Sequence, residues 1–371
     1  MNRTTLQMKP RTKTPSLYLS MELSEKSWGL LFSDGQQLSA HSVKVGDMAG
    51  VLAHAKSSAK RFGLASSVQL VTCQEAGRDG FWIHRALEAA GARSLVVDAT
   101  SIEVDRRMRR AKTDRLDAER LMRLLIRYCA GETQALRVVR APSEEEEDVR
   151  RDGRERDRLM HERTGHICRI KALLVLHGVR DVELDLLDEV VCANGKPLPQ
   201  RLLRELEREY QRLELINEQL KEIEKERRET LEKPSRLTQC ISTLMQLRGI
   251  GPQAAWLFSE EFFGWRDFEN RRQVGAAAGL VSMPFNSGHG ERDQGISKAG
   301  NKRVRTMAVQ LAWGWLRWQP DTAISKWFRK KFETTKRSKR VGIVAVARKL
   351  LIALWRMLKT GEVPTGALMT N

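Results

Sequence analysis

Short apolar runs separated by longer amphipathic stretches fill residues 17 to about 130. Residues 17–23 and 27–32 concentrate apolar side chains as strands do, with a tight polar turn between them. Residues 67–73 and 94–97 predict two further strands, and the apolar spacing of 51–62, 81–90 and 113–128 predicts three helices. Strands alternating with amphipathic helices make residues 17–140 an α/β domain.

The pattern changes at Pro142. Glu144 to Glu147 open a stretch, reaching about residue 233, that is dense in Arg and Glu and has few aromatics. Leu206, Leu213 and Leu220 recur every seven residues, and Leu202, Ile216 and Ile223 take the matching positions of a second seam that Glu209 interrupts. A break containing Gly195, Pro197 and Pro199 divides the stretch into two long helices. They form either an antiparallel pair within one subunit or a dimer surface, so residues 141–235 read as a coiled-coil helical segment without chemistry of its own. Residues 236–371 become helical and aromatic again, with seven of the nine tryptophans after residue 250.

Composition sharpens this picture. The 371 residues suffice for two or three domains with a core in each, and 41% apolar against 30% charged residues is the balance of a folded chain. Lys and Arg outnumber Asp and Glu by 65 to 47, a net charge of +18 that predicts a polyanionic partner. No run approaches the roughly 18 apolar residues that span a bilayer, which favours nucleic acid over a membrane. The five cysteines are scattered and never form Cys-x-x-Cys, which excludes a disulfide framework and a zinc site and fits a reducing cytoplasm. Residues 1–16 hold Arg3, Lys9, Arg11 and Lys13 with no apolar segment after them, and read as a basic flexible tail. From Lys326 to Lys359 twelve bases, including Lys330, Lys331, Lys339 and Arg340, stand against the single acid Glu333. Trp327, Phe328 and Trp355 lie among them, a mixture suited to gripping phosphates and stacking bases.

Four acids in the first domain sit where a nuclease of the RNase H type needs them. Glu22 lies within an otherwise apolar strand, Glu75 follows the strand ending near Cys73, and Asp114 and Asp117 fall three apart on one helix face. Such carboxylates suit Mg²⁺, a hard cation that takes oxygen ligands, and a pair of ions can clamp the attacking and leaving oxygens of a phosphodiester. Arg106, Arg107, Arg109, Arg110 and Lys112 flank the paired aspartates and offset their repulsion of substrate phosphates. Further along, Leu247 to Ala255 reads as a helix-hairpin-helix turn, in which Gly249 and Gly251 permit a tight backbone and Pro252 opens the next helix.

Three stretches carry a resemblance. Glu75-Ala-Gly-Arg-Asp-Gly-Phe-Trp82, the block from Arg106 to Ala118, and Leu247-Arg-Gly-Ile-Gly-Pro252 followed by Gly295-Ile-Ser-Lys-Ala-Gly-Asn301 resemble the DEDD transposases of insertion sequences. The resemblance covers nearly the whole chain in the same order. It implies an N-terminal RuvC-like, RNase H-like domain (17–140), a coiled coil (141–235) and a mainly helical C-terminal transposase domain (236–371) with a serine loop and a basic tail. It also implies an acidic tetrad of Glu22, Glu75, Asp114 and Asp117 that binds Mg²⁺, although this chain has Glu22 where the family usually has Asp.

In the same family a serine after a Gly-Leu-Val-Pro-like turn joins covalently to a DNA phosphate. Gly279 to Gly288 resembles that turn and makes Ser287 the candidate nucleophile, with Ser297 and Ser282 as competitors. Lys298, Asn301, Lys302, Arg303 and Arg305 then offer donors for phosphates beside the serine. The implied protein is a cytoplasmic, nucleoid-associated prokaryotic recombinase that acts on element ends and target DNA. A structured guide RNA and assembly as a homodimer or homotetramer are further implications. Two other classes use the same residues differently: a junction endonuclease would cleave with water and not need Ser287, and a non-catalytic nucleic-acid-binding protein would need only the bases.

Overall fold

Strict alternation along one central strand organises the N-terminal part of the protein. In β1 (Ser16–Leu23), Leu17, Leu19 and Met21 bury on one face and Tyr18 and Ser20 on the other. A strand with two buried faces must lie between layers. The computed structural model, which describes residues 15–77, 79–98, 114–180, 189–287 and 290–370, places it there. The chain divides into two compact units, Met1–Pro142 and Ser143–Asn371.

The first unit holds a six-stranded sheet in the order β3-β2-β1-β4-β5-β6. β2 (Ser27–Ser33) runs antiparallel to β1 and to β3 (Leu38–Lys44), whereas β4 (Gln69–Glu75) is parallel to both β1 and β5 (Arg93–Val97). The two-residue β6 (Val138–Val139) closes the far edge. One face, with Leu17, Leu19, Met21, Leu30 and Phe32, packs on α1 (Met48–Arg61) and α2 (Gly80–Ala89). The other, with Tyr18, Leu31, Val71, Cys73 and Val97, receives Ala118, Leu121, Met122 and Leu125 of α3 (Asp114–Cys129). This mixed sheet with helices on both faces agrees with the α/β expectation for the segment. β3 was not expected: its exposed positions alternate with buried Ser39 and Val43, so no apolar run marks it.

The second unit begins with two long helices, α4 (Glu144–Val175) and α5 (Gln200–Leu231). Ser143 and Glu146 form a reciprocal capping box at the start of α4. Side-chain pairs set the helices antiparallel: Arg156 meets Glu224, Arg163 donates to Asn217 at 2.8 Å, and Arg169 donates to Glu209 at 2.7 Å. Leu206, Leu213, Ile216 and Ile223 are buried along the seam. Glu209, which interrupts it, is also buried and accepts from His166, Arg169 and Arg212.

Among the described residues, seven helical segments and a hairpin complete this unit. They are α6 (Arg236–Met245), α7 (Pro252–Phe258) continuing as a π-helical turn (Ser259–Phe263), α8 (Arg271–Ala277), α9 (Lys302–Trp318), α10 (Ala323–Phe332) and α11 (Lys336–Thr360). The antiparallel hairpin of β7 (Ser282–Ser287) and β8 (Gly290–Ile296) lies between α8 and α9. Ile241, Leu244, Phe258, Phe262, Val274, Trp315, Val346 and Leu350 share one core. Among the described residues, no helix is long and apolar enough to cross a membrane.

Glu209 yields a test of the seam. Burial pushes its carboxyl up, but hydrogen bonds and charge from His166 and Arg169 outweigh burial and hold it below the usual value. A depressed folded pKa adds stability that is present above the unfolded value near 4.3 and is lost as pH falls through the folded pKa. Thermal melts of Glu209→Gln should therefore show a Tm a few degrees below wild type at pH 7, with the gap closing in acid.

Candidate active site

The register of β1 against β4 decides where two of the acids stand. Tyr18 pairs with Val71 and Ser20 with Cys73, so the next step of the same register sets Glu22 beside Glu75. Both follow the parity of residues buried against α3, which puts them on that face at the carboxyl ends of adjacent parallel strands, about 4.8 Å apart in backbone. On its other side Glu22 faces Gly29 of β2, which carries no side chain to crowd it. The Glu75 carbonyl accepts from Gly77 N–H at 2.8 Å and lies 2.7 Å from where a Cβ on Gly80 would fall, so the chain turns tightly into α2 there.

The second pair of acids arrives on α3. The Ser20 hydroxyl donates to the Ala118 carbonyl at 2.9 Å, pinning this helical turn to β1 two residues from Glu22. Asp117 directly precedes Ala118, is half-buried and stands 3.9 Å from Arg120. Asp114 opens the helix one turn earlier; its side chain lies outside the described residues, as do Arg106, Arg107, Arg109, Arg110 and Lys112. Among the described residues, no group of three or more His, Cys, Asp or Glu forms a metal site.

Ser287, expected in a loop, is the last residue of β7, paired with Gly290 at the tip of the hairpin. β8 is almost wholly polar and β7 holds its apolar residues in one short block, Met283 to Phe285, so neither strand shows apolar alternation. Ser282 pairs with Ile296 at the opposite end, and Ser297 follows directly, its N–H bonded to Val281 O at 2.8 Å. Five residues of strand, about 17 Å, thus separate Ser287 from both competitors. The side chain of Ser287 lies outside the described residues. The hairpin base explains two glycines of the motifs. Gly279 (φ 67°) and Gly300 (φ 121°) are left-handed, and a Cβ on either would strike the Ala299 or the Ala277 carbonyl.

Three of the expected phosphate donors are engaged inside the fold. Asn301 caps α9 by accepting from Arg303 and Val304 N–H, and it donates to Glu261 at 2.9 Å. Arg303 reaches Glu261 at 2.6 Å, Asp157 at 2.7 Å and the Gly153 carbonyl at 2.8 Å. Arg305 donates to the Ala278 carbonyl at 3.1 Å. Lys298 and Lys302 remain exposed, as do Lys330, Lys331 and Arg340, whereas Lys339 is half-buried. Phe328, expected on a stacking surface, is buried in the core instead, since its position on α10 faces α11. In the hairpin turn, Gly249 and Gly251 are exposed, but Arg248 N–H bonds Leu368 O and Ile250 N–H bonds Leu247 O.

Sequence reasoning missed the acids at the centre of this network. Glu260 and Glu261 occupy the π-helical turn, 3% and 1% exposed. Arg154 grips Glu261 with two hydrogen bonds of 2.8 and 3.1 Å, and Arg227 meets Glu260 at 3.2 Å while stacking over Trp256. Burial raises the Glu261 carboxyl, yet Arg154, Arg303 and Asn301 together hold it below its usual value. Burial dominates at Glu260 and pushes it up to about 7. The available signal was an acid pair inside the apolar run from Ala254 to Phe263. Removing one partner of a buried pair typically costs about 3–5 kcal/mol. Arg303→Ala should approach that loss in urea unfolding, while Lys302→Ala should change stability by less than about 0.5 kcal/mol.

Comparisons with known proteins agree along the chain. Residues 26–178 match a DEDD family described as "Transposase", and residues 241–326 match one described as "Transposase IS116/IS110/IS902 family". The chain is 42% identical to the y4rJ protein of Sinorhizobium fredii, which bears a transposase name, over 95% of its own length and 94% of that protein's. It is 26% identical to the transposase for insertion sequence element IS1111A of Coxiella burnetii, over 68% of each chain. It is 27% identical to that for IS1328 of Yersinia enterocolitica, over 54% of this chain and 58% of the other. The chain belongs to the IS110-family DEDD transposases, DNA-cutting enzymes of insertion sequences.

Proposed function

We propose that this transposase cuts and rejoins DNA through a covalent phosphoserine at Ser287, with Glu22, Glu75, Asp114 and Asp117 as an acidic tetrad for Mg²⁺. The observation that supports the reading is the shared register that sets Glu22 beside Glu75 on the sheet face covered by α3, where Ser20 ties down the turn that carries Asp117. Four carboxylates form an all-oxygen donor set, which fits a hard divalent cation and would repel itself without one. Bound there, Mg²⁺ supplies charge relief to the phosphodiester under attack.

The chain's own residues do the rest. The Ser287 hydroxyl gives up its proton and bonds to phosphorus; the bond from phosphorus to the leaving strand oxygen breaks, and that oxygen takes up a proton. The phosphoserine keeps a phosphodiester at the protein, so a new strand hydroxyl can displace Ser287 and rejoin DNA without an external energy source. Glycines 279 and 300 support the reading of the hairpin as a built element, because side chains there would force its base apart. Exposed Lys298 and Lys302 suit neighbouring phosphates, with Lys330, Lys331, Lys339, Arg340 and the bases at 106–112 as further contacts. Gly249 and Gly251 would bring the turn after α6 close to a phosphate backbone.

Sequence choice in this reading is delegated to base pairing with a structured RNA, and strand exchange calls for a homodimer or homotetramer. Residues 17–140 act as the RuvC-like catalytic domain, 141–235 as a coiled coil and 236–371 as the transposase domain. The protein works on DNA in the cytoplasm, at the nucleoid.

The test incubates the protein with element RNA, labelled element-end DNA and Mg²⁺, and resolves the products on a denaturing gel. A protein-DNA adduct should form and fall to background in Ser287→Ala, in Asp117→Asn and with a chelator. Cleavage without an adduct would overturn the phosphoserine step in favour of hydrolysis by water. Binding without cleavage would point to a non-catalytic role.

A further inference from the structure

The second unit contains a cavity of about 340 Å³ between α6, the segment after the π-helical turn and the end of α11. Its size lies within the range of about 300–1,000 Å³ typical of sites for single small ligands. Phe263 and Phe268, both buried, form the apolar floor with Leu358, and the half-buried Trp355 adds an indole wall. Arg236 and Lys359 also line the cavity, as does Arg266, whose guanidinium stacks over Trp265 at 4.2 Å. The Lys359 ammonium is 5.3 Å from the centroid of the Trp355 ring and 3.5 Å from the Phe268 carbonyl, which holds the cation beside the aromatic wall. Asp267 also lines the cavity, but Arg236 ties it at 2.7 Å, so the charge offered at the mouth is positive.

An aromatic floor selects a flat ligand, and a cationic rim selects an anionic one. A nucleotide is both. A base paired within a duplex stays in its stack and cannot enter a cavity of this size, whereas an unpaired base can leave its neighbours and stack on protein aromatics. We propose that this cavity holds one unpaired nucleotide of a bound nucleic-acid strand, its base against Trp355 and its phosphate beside Arg236 and Lys359. The site deepens the nucleic-acid role argued above and rests on it. It involves neither the carboxylates nor Ser287.

The test measures binding of the full-length protein to fluorescent single strands of 15 thymidines or 15 uridines and to a 15-base-pair duplex, without Mg²⁺. Because no cleavage is needed, a failure here is separable from a failure of the adduct assay. Loss of one stacked base corresponds to about a tenfold weaker Kd. Trp355→Ala should produce that loss on single strands and leave duplex binding within about twofold. Trp355 also touches the core, so Thr243→Phe serves as a second variant that fills the opening from α6 while keeping the indole. It should reproduce the loss with an unchanged Tm, and Trp355→Phe should restore most of the affinity. A loss confined to the uridine strand assigns the nucleotide to RNA, and one confined to the thymidine strand assigns it to DNA. Single-strand affinity within about twofold of wild type in a folded Thr243→Phe, or an equal loss on duplex, would overturn the proposal.

Discussion

The parallel register between β1 and β4 is the constraint from which the candidate active site follows. A slip of one residue would turn every side chain of β1 to the other face, taking Glu22 into the layer of Leu17, Leu19 and Met21. That slip would bury an acid among apolar side chains and leave Leu19 and Met21 on the face of α3, so both cores oppose it. The packing energy of the domain therefore also fixes the placement of two carboxylates. Ser20 extends the same control to α3, since its hydroxyl meets a backbone carbonyl in the turn that carries Asp117. One buried hydroxyl links the strand acids to the helix acids.

The second unit solves a different problem, holding a long helical pair and a polar hairpin to one helical core. It does so with buried charge. Two adjacent carboxylates in a π-helical turn point in different directions: Glu260 toward Arg227 of α5, and Glu261 toward Arg154 of α4 and Arg303 and Asn301 at the start of α9. An α-helical spacing would orient this pair otherwise, and the inserted residue of a π-turn is a common device where side chains must be re-aimed. Charged pairs cost desolvation energy and add little net stability over apolar packing. What they add is geometry, because a fork of hydrogen bonds fixes both distance and angle. Gly153 shows how closely the parts fit, since a methyl group there would collide with the Glu260 carboxylate.

The elements legible in the sequence were those with an apolar signal. β1, β2, β4 and β5, the three helices of the first unit and the long helical pair of the second announced themselves by runs and spacing, whereas α6 to α11 were legible only as a helical, aromatic stretch without bounds. β3 escaped because its buried positions are Ser39 and Val43, and the hairpin escaped because β8 is almost wholly polar and β7 shows no apolar alternation. The hairpin's base closes tightly around Gly279 and Gly300, a feature that no periodicity reveals. For the site, Glu22, Glu75, Asp114 and Asp117 could be nominated from position alone, but the adjacency of Glu22 and Glu75 on one face of the sheet could not. It depends on which residue of β4 stands beside which residue of β1, and pairing register is a long-range property. Ser287 was visible only through family resemblance. Glu260 and Glu261 carried a readable signal in their apolar surroundings, although their partners come from helices about 100 and 40 residues away.

The net charge of +18 takes on a different meaning once its members are located. Arg154, Arg227, Arg303 and Arg305 serve the interior of the protein, bound to carboxylates or carbonyls, and offer little to an external phosphate. Exposed lysines such as Lys298, Lys302, Lys330 and Lys331 remain, together with exposed arginines such as Arg271, Arg272, Arg337 and Arg340. A guanidinium is planar, weakly hydrated and forked, so it can be buried against carboxylates, whereas an ammonium keeps its water and works best as a mobile point charge. Lysine contacts release counterions without fixing orientation, so they supply affinity that falls steeply with salt and reads no sequence. Specific placement of a strand then has to come from shaped features, of which the polar hairpin and the aromatic cavity beneath Trp355 are the most sharply defined.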